Sequence, residues 1–518
     1  MNNNDSQGRL IANVYKVYQR LLAIQGFCDF EDLIFNIVKL LEAKVDQRRK
    51  YRDQFQHIYV DEYQDLNPAQ YRIIRALAPD AGAVRDLCVI GDPDQSIYGF
   101  RGSDVTLFNQ FKNDYPNSAE IKLIRNYRST ETILNASFQV IKDHRIHSSD
   151  TRTYSEIGGV KAISILETAN EKDEAECISR IIEQQIGGTG FHSIDTGTVK
   201  DANLAKTYSY SDFAVFYRTH DQHRALAEIF EKRGIPFQIA SRQTVFDPAG
   251  LPELISFLKI IEGIGGFFDH EKILKIALPG LGKKTLDQFK NWCFQNRFSL
   301  RQGLIKVNRF PIPGMVPAKQ QKLNDFSNQI YHYQIELGDL SVADKLRFLQ
   351  KNTMLSGMLN KDIHIQEAFA RLLDYAGRLN GNTTDFFADT ALHTDTDTYA
   401  PEVEKVFLMT MHASKGLEFP VVFISGCEET LIPHRKPGSE ENDIREERRL
   451  FYVAMTRAME RLYLTHAKKR WVHGRRFDRN LCQFIEDIEK QLKIDKSPRL
   501  KKKKINKPQP VQLKLFLK

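Results

Sequence analysis

HIYVDEYQDLN, residues His57–Asn67, decides the fold of this 518-residue chain. Its apolar run Ile58–Val60 leads directly into two adjacent acids, Asp61 and Glu62. An apolar strand that ends in acids is typical of a nucleotide-triphosphate hydrolase, in which one carboxylate holds Mg²⁺ and a second activates water. Two acids after an apolar run also occur at ordinary strand ends, so this stretch alone leaves the catalytic interpretation open.

The neighbouring segments predict a parallel sheet. A second apolar run, LCVIGDPD at 87–94, also ends in acids, and Pro68–Leu77 between the two runs has helical spacing. Strand, helix, strand with acids at the strand ends is the pattern of a βαβ unit. Residues 10–50 upstream have apolar residues at helical spacing. We therefore expect an α/β domain here.

Five further apolar runs predict a second α/β domain. They lie at 160–168, 212–219, 405–412, 420–426 and 461–467. Helical stretches separate several of them, notably Glu171–Gln185 and His223–Arg233. The interval 243–395 interrupts this set with helical spacing and few strand signals, so it predicts a helical insertion. The Thr- and Asp-rich stretch Asn382–Tyr399 predicts its exit loop.

Composition indicates an ordinary globular protein with a basic end. The net charge is +8, and residues 488–518 contain eleven Lys or Arg against two acids, so the rest is nearly neutral. A basic tail suits nucleic acid, and a solubilising disordered end explains the charge equally well. The six cysteines are scattered singly, which predicts a reducing cytoplasm. No run of about 18 apolar residues exists, so we expect no membrane span.

A polar loop follows the second predicted strand, with the sequence VIGDPDQSIYGFRGSD at 89–104. Gln95 is an uncharged donor and acceptor that can contact both an attacking water and a γ-phosphate. Tyr98, Phe100 and Arg101 provide aromatic faces and a cation, which suit stacking on unpaired bases and contact with a phosphate. A turn with partly buried aromatic side chains is the alternative.

Five ordered stretches carry a resemblance to a known family. They are VDEYQDLN, GDPDQSIYGFRG, LIRNYRST (123–130), LMTMHASKGLEFPVVFISG (408–426) and EERRLFYVAMTRAMERLYL (446–464). They resemble the motif series of the UvrD/PcrA/Rep helicases of superfamily 1, in its C-terminal part. The resemblance implies two RecA-like parallel-sheet domains, the first incomplete, with a helical insertion subdomain. The implied bounds are 1–119 for the first domain, 120–242 and 396–487 for the second, 243–395 for the insertion and 488–518 for a disordered tail.

The resemblance also implies roles for individual residues. Three match groups that hold Mg²⁺, activate water and sense the γ-phosphate of ATP: Asp61, Glu62 and Gln95. Four match groups that contact the adenine, the γ-phosphate or the sugar: Tyr127, Arg128, Arg457 and Glu418. Five fall on the path of single-stranded DNA: Tyr98, Phe100, Arg101, Thr410 and His412. Phe100 stands where many members of the family have tryptophan, and it still offers a stacking face.

The phosphate loop of this family has no counterpart in the sequence. No GxxxxGK[ST] pattern occurs, and GLGKKT at 280–285 fails it because Ala277 and Lys284 stand at required positions. Residues 278–286 instead resemble a helix-hairpin-helix contact to duplex DNA, with a plain glycine turn as the alternative. We therefore expect one of three things: half of a truncated or split helicase, a chain completed by a separate N-terminal polypeptide, or a degenerate DNA-binding protein.

The C-terminal sequence QLKLF resembles the peptide by which bacterial replication and repair proteins bind the sliding clamp. Its four matching residues are Gln512, Leu513, Leu515 and Phe516. Leu515 and Phe516 are suitable anchors for an apolar pocket. An apolar terminus that folds back on the body is the alternative.

The resemblance predicts a cytoplasmic, ATP-dependent helicase that moves 3′ to 5′ on single-stranded DNA and at duplex junctions, in repair or replication. A catalytically silent DNA-binding or clamp-docking subunit is the main alternative. The helicase part of a helicase–nuclease fits less well, since only about 50 residues follow the last motif.

Overall fold

The computed structural model describes residues 6–25, 27–79, 86–146, 152–159, 162–186, 208–240, 250–353, 355–378, 383–392, 404–435, 441–472 and 475–496. These residues form two compact units. The first unit draws on 1–61, 66–89 and 240–400, and the second on 62–65, 90–239 and 401–518. Both contain parallel strands and helices, so the predicted α/β fold class is confirmed. Among the described helices, none is both long and apolar enough to span a membrane.

The first unit begins with helices and a small parallel sheet. Its elements are α1 (Ser6–Gln25), α2 (Phe30–Ala43), α3 (Val45–Gln54), β1 (His57–Val60), α4 (Pro68–Leu77) and β2 (Asp86–Val89). β1 pairs in parallel with β2, which confirms the predicted βαβ unit. Asn67 begins α4, because its side chain accepts the Gln70 backbone N–H and Pro68 occupies the first helical turn. Asp61 follows β1 directly.

The second unit contributes the next part of the chain. Its elements here are α5 (Thr106–Asp114), α6 (Glu131–Ile141), β3 (Ile163–Asn170), α7 (Glu171–Gln185), β4 (Phe213–Tyr217), α8 (His223–Arg233) and β5 (Phe237–Ala240). α7 and α8 have their predicted bounds. Asn170 caps α7 by accepting two backbone N–H groups, and Gly234, with φ of 69°, ends α8 in the left-handed conformation.

The segment predicted as a helical insertion is helical where it is described, and it groups with the first unit. Its helices are α9 (Leu251–Ile261), α10 (Phe267–Ala277), α11 (Lys283–Gln295), α12 (Leu300–Lys306), α13 (Pro317–Leu337), α14 (Val342–Asn352), α15 (Ser356–Leu359), α16 (Ile363–Arg378) and α17 (Thr383–Leu392). The described residues between 250 and 392 contain no strand. Phe257, Phe289 and Leu346 are fully buried in its core. The exit loop predicted at 382–399 is wrong at 383–392, which is helical.

The second unit is completed by β6 (Val406–Thr410), β7 (Phe419–Ile424), α18 (Glu441–Met455), β8 (Ala458–Val472), β9 (Arg475–Asp478), α19 (Gln483–Glu486) and β10 (Lys493–Asp495). Its sheet has the order β10-β3-β8-β7-β4-β6-β5, and β9 pairs antiparallel with β8. All five residues of β4 are buried, as expected for a strand covered on both faces.

The tail prediction needs one correction. Disorder was expected from residue 488, but Lys493–Asp495 form the edge strand β10, which pairs in parallel with β3. Backbone pairing at the sheet edge fixes these residues even though two of the three side chains are charged. The predicted clamp peptide, Gln512–Phe516, lies outside the described residues.

Candidate nucleotide and nucleic-acid site

Three predicted nucleotide-contacting residues meet at the amino-terminal ends of β7 and β8. Glu418 and Arg457 immediately precede these neighbouring strands. Ser129 fixes the segment 126–130 beside them, because its Oγ–H donates to the first carbonyl of β8 at 2.6 Å. This attachment brings Arg128 to Glu418, with which it forms an ion pair. Arg128 and Glu418, which are 290 positions apart in the chain, are therefore in contact. Their individual roles stay predictions.

Arg457 is a buried cation that forms no ion pair with a carboxylate of the described residues. It is only 4% exposed, and its Nε donates to the Val453 carbonyl and its Nη2 to Thr456 Oγ1, each at 3.2 Å. Burial, together with the charge of nearby Arg128, lowers the pKa of Arg457 to about 10. A buried guanidinium group with a second guanidinium group near it favours a bound anion. The pair therefore fits a phosphate group.

Tyr127 presents an exposed ring next to Arg128 in the chain. The residue is 75% exposed. The guanidinium of Arg125 lies 5.0 Å from the ring centroid and is itself held by Glu156 at 2.6 Å. A tyrosine ring with a fixed cation beside it and open surface around it suits the stacking of a base. This geometry fits the predicted adenine contact.

Lys415 was not predicted from the sequence, although it contacts both the acids after β1 and the loop of Gln95. Its side chain is 7% exposed, and its Nζ lies 3.3 Å from a carboxylate oxygen of Glu62. It also forms an ion pair with Asp65 and donates to the backbone carbonyl of Gln95 at 3.0 Å. A single lysine among small and apolar residues in HASKGLEF was the only signal in the sequence.

The acids after β1 show the strain and incomplete pairing that are common in functional sites. Glu62 has a φ of 49°, which is uncommon for a residue other than glycine, and its carboxylate accepts from Gln64 Nε2. Burial raises the pKa of Asp65 in spite of Lys415, and its buried Oδ1 has no hydrogen-bond partner among the described residues. Asp65 thus keeps a carboxylate oxygen for a further ligand or water.

Asp61, the predicted magnesium ligand, is exposed at the end of β1 in the first unit. Within the described residues, no three His, Cys, Asp or Glu side chains converge to hold a metal ion. Magnesium in nucleotide sites takes only one or two carboxylates and completes its shell with water and phosphate oxygens. The chemistry of Asp61 therefore fits the predicted role of a single protein ligand.

Gln95, the predicted γ-phosphate sensor, is held in place by its own loop. Its Nε2 donates to Asp92 Oδ2 at 2.9 Å, and the Asp92 backbone N–H donates to Gln64 Oε1 at 3.0 Å. One residue before Gln95, the buried Asp94 carboxylate accepts from Arg145 Nε at 2.8 Å. These bonds fix the loop, so its side chains are positioned before any ligand binds.

The predicted DNA-path residues form an aromatic and cationic cluster. Phe100 is 64% exposed, and the Arg101 guanidinium lies 5.0 Å from the Tyr98 centroid and 5.5 Å from that of Phe100. The His412 ring meets Phe100 edge-on, with centroids 5.5 Å apart. Thr410 lies two residues earlier, where β6 ends. An exposed ring with a cation beside it suits single-stranded bases and their phosphates.

His412 is a neutral member of this cluster. Burial, with the charges of Arg218 and Arg101, lowers its pKa to about 4. Arg218 is in turn held by Glu447 at 2.6 Å. An uncharged imidazole can pack against an aromatic ring and still offer a hydrogen bond, so His412 suits contact with a base rather than with a phosphate.

The segment predicted to contact duplex DNA forms the start of α11. Gly280 has a φ of 92°, which glycine adopts readily, and Gly282 is the residue before the first helical turn. Lys283 and Lys284 are exposed at this helix start. Free backbone N–H groups beside two lysines suit a DNA phosphate. That role stays a prediction.

Comparisons with known proteins agree with this set of motifs. The sequence profile described as UvrD-like helicase C-terminal domain matches residues 121–469, and that described as UvrD/REP helicase N-terminal domain matches residues 1–116. The chain is 33% identical over 504 residues to the ATP-dependent DNA helicase PcrA of Staphylococcus epidermidis, and 33% identical over 501 residues to that of Staphylococcus aureus. Each comparison covers 94% of this chain, which spans 65% of the length of these relatives.

A solved structure is also similar, namely the C-terminal domain of a possible DNA helicase from Lactobacillus plantarum. It covers 71% of this chain and 97% of that chain, but at a TM-score of 0.26 and 10% identity it does not bear on the fold. The expected resemblance to the C-terminal part alone is wrong, because the N-terminal domain profile also matches, over residues 1–116. With 121–469 matched by the C-terminal domain profile as well, the chain belongs to the UvrD-like helicase family.

Proposed function

We propose that this chain is the motor part of an ATP-dependent DNA helicase that steps 3′ to 5′ along single-stranded DNA. The position of Lys415 carries the proposal. Its Nζ contacts Asp65 and the carbonyl of Gln95, and it lies 5.3 Å from the ring centroid of Tyr98. One buried cation thus touches both the loop proposed to sense the nucleotide and the ring proposed to face DNA. A motor needs such a link, since translocation requires that the two sites be coupled.

The proposed roles in hydrolysis follow from the family motifs and the geometry of the side chains. ATP with Mg²⁺ supplies the phosphoryl group that is transferred to water. Glu62 orients the water, and Asp61 provides a magnesium ligand. Arg128 and Arg457 place positive charge where the γ-phosphate oxygens become more negative, and Arg457 does so from a buried position. Tyr127 stacks on the adenine.

We further propose that a phosphate loop from outside these 518 residues completes the site, on the same polypeptide or on a separate one. The sequence holds no GxxxxGK[ST] pattern. β1 and β2 form a sheet of two parallel strands, although parallel sheets are normally larger and covered on both faces. Apolar side chains of the same unit are exposed, including Tyr59 at 72%, Leu10 at 64% and Val14 at 60%. Such a surface suits further strands and helices.

Replacing Phe100 with alanine tests the DNA side of the proposal. Loss of one stacked base costs about 1–3 kcal/mol, so the Kd for single-stranded DNA should rise roughly 5- to 150-fold. The Kd is measured by fluorescence anisotropy with labelled oligothymidylate. Phe477→Ala is the matched control, because Phe477 is also an exposed phenylalanine, 45% exposed on β9. The Kd of this variant for single-stranded DNA should equal that of the wild type. Equal Kd values for Phe100→Ala and the wild type would contradict the proposal.

A silent DNA-binding subunit is the second candidate, and the lack of a GxxxxGK[ST] pattern favours it. Phosphoryl transfer depends almost entirely on positioned charges around the phosphates, so a chain without that loop binds DNA but turns over no ATP. ATP hydrolysis in the presence of a polypeptide that carries the loop separates the two functions.

We also propose that Gln512–Phe516 binds a bacterial sliding clamp, on the basis of the QLKLF sequence alone. Deleting residues 512–518 should abolish binding to immobilised clamp in surface plasmon resonance and leave the Kd for single-stranded DNA unchanged. Lys514→Ala, which removes a charge but keeps both apolar anchors, is the control and should still bind. Clamp binding by the deletion variant at wild-type strength would rule the docking role out.

A further inference from the structure

Helix α18 carries a carboxylate that binds the loop of the aromatic cluster. The Glu446 carboxylate lies against the backbone at Gly99, and the backbone N–H groups of Gly99 and Phe100 favour its charged form. These two residues begin the short helical turn Gly99–Arg101, which carries the exposed Phe100 ring. A carboxylate beside backbone amides makes a charge-assisted contact, which is stronger than one between neutral groups. Glu446 therefore fixes the backbone from which the ring projects.

Gly99 makes the approach of Glu446 possible. A Cβ atom at position 99 would lie 2.5 Å from Glu446 Oε2 and 3.3 Å from its carboxyl carbon. The first distance is too short for any real contact, so a side chain at position 99 displaces the carboxylate. Gly99 is not among the residues with a positive φ, so the need for glycine comes from this contact rather than from the backbone conformation.

A second contact joins the same helix and loop. Arg449, one turn after Glu446 on α18, donates its Nε–H to the carbonyl of Ser96 at 2.7 Å. Burial raises the pKa of Glu446, although Arg449 and the two amides act in the opposite direction. The carboxylate is thus partly removed from water, and the two loop amides offset part of the cost by favouring its charged form.

We propose that Glu446 is a positioning residue that holds the base-stacking loop against α18, so that the helix leading to Arg457 also sets the orientation of Phe100. This inference rests on the proposed function, in which Phe100 stacks on single-stranded DNA. Glu446 lies nine positions before Met455, the last residue of α18, which corresponds to about 14 Å along the helix, and Arg457 follows two positions later. One helix therefore runs from the contact with the turn proposed for DNA to within two residues of the arginine proposed for the γ-phosphate.

Three variants test the proposal: Glu446→Ala, Glu446→Gln and Gly99→Ala. We measure the Kd for labelled oligothymidylate and, as a report of stacking, the fluorescence of 2-aminopurine placed within the oligonucleotide. Glu446→Ala should raise the Kd about tenfold and reduce the 2-aminopurine response, because the turn loses its charged acceptor. Glu446→Gln keeps an acceptor oxygen and should restore most of the affinity. Gly99→Ala should change the Kd and the 2-aminopurine response in the same way as Glu446→Ala.

The double variant gives a further check. If both changes break the same contact, Glu446→Ala combined with Gly99→Ala should bind no more weakly than either single variant. Glu120→Ala is the matched control for the loss of an acid, since Glu120 is exposed and its carboxylate lies 3.7 Å from Lys122. Its Kd and its 2-aminopurine response should equal those of the wild type.

The outcomes separate this inference from the proposed function. If the wild-type chain does not bind single-stranded DNA, the proposed function itself fails. If the wild type binds and Glu446→Ala and Gly99→Ala stay within about twofold of it, the positioning role is wrong. A weaker Kd with an unchanged 2-aminopurine response also overturns the role, because stacking is then intact. If circular dichroism shows that Glu446→Ala does not fold, the Kd of Gly99→Ala serves as the test instead. A Kd of Gly99→Ala equal to that of the wild type then rejects the proposal.

Discussion

Replacing Arg457 with alanine should lower the rate of ATP hydrolysis about a thousandfold or more, because arginines that stabilise a phosphoryl-transfer transition state contribute 10³ to 10⁵ in rate. Arg457 is buried and forms no ion pair with a carboxylate of the described residues, so its charge is available to a phosphate. The Arg457→Lys variant should also hydrolyse ATP slowly, since an ammonium group lacks the planar fork of a guanidinium. Arg128→Ala should reduce the rate less, because Arg128 is more exposed and already pairs with Glu418.

Phosphate release is measured with and without oligothymidylate, after addition of a polypeptide that carries a GxxxxGK[ST] phosphate loop. Arg461→Ala is the matched control, because Arg461 lies in β8 and its Nε donates to the hydroxyl of Tyr208 at 3.3 Å. Wild-type rates in both Arg457→Ala and Arg461→Ala would remove Arg457 from the mechanism. If the wild type itself shows no turnover while the loop polypeptide is bound, the silent-subunit function is the correct one.

Replacing Arg470 with alanine should lower the free energy of unfolding of the second unit by about 3–5 kcal/mol, the cost of breaking a buried ion pair from one side. Arg470 Nη2 lies 2.6 Å from a carboxylate oxygen of both Glu174 and Glu428, and the three side chains are 7%, 2% and 0% exposed. Although burial opposes it, the charge of Arg470 lowers the pKa of Glu174. Removal of the arginine leaves two carboxylates buried without their cation.

Urea denaturation followed by circular dichroism measures this loss. Arg476→Ala, at an exposed position on β9, serves as the control and should stay within about 0.5 kcal/mol of the wild type. Adding Glu174→Gln and Glu428→Gln to Arg470→Ala should recover part of the loss, because neutral amides are less costly to bury than unpaired carboxylates. A loss below about 1 kcal/mol for Arg470→Ala would mean that this triad contributes no more than a surface ion pair.

The strands of the second sheet were predictable where they are buried on both faces. Phe213–Tyr217 is a continuous apolar run because every one of its residues is buried. The edge strands were not predictable in the same way. Lys493–Asp495 and Arg475–Asp478 are short and mostly charged, since an edge strand is held by backbone pairing and leaves its side chains in water. Patterns of side chains carry little information about such segments.

The candidate site was predictable to the extent that its chemistry lies in contiguous motifs. The acids after β1 and the arginines Arg128 and Arg457 fall into this class. Lys415 and Glu446 do not, because their significance comes from contacts with residues remote in the chain. Lys415 reaches Asp65 and the carbonyl of Gln95 across 350 and 320 positions respectively. Only the folded chain shows what such residues touch.

The helical insertion has a consequence for how the second sheet forms. β4 pairs with β6 in a register that joins Val215 to Leu408, 193 positions further along the chain. Bringing together the ends of a long unfolded segment costs chain entropy, and contacts between distant residues form late and slowly. Helices depend mainly on local contacts and form quickly. If the insertion is already folded when β4 meets β6, much of the intervening chain is no longer free, and the entropic barrier to closing the sheet is correspondingly smaller.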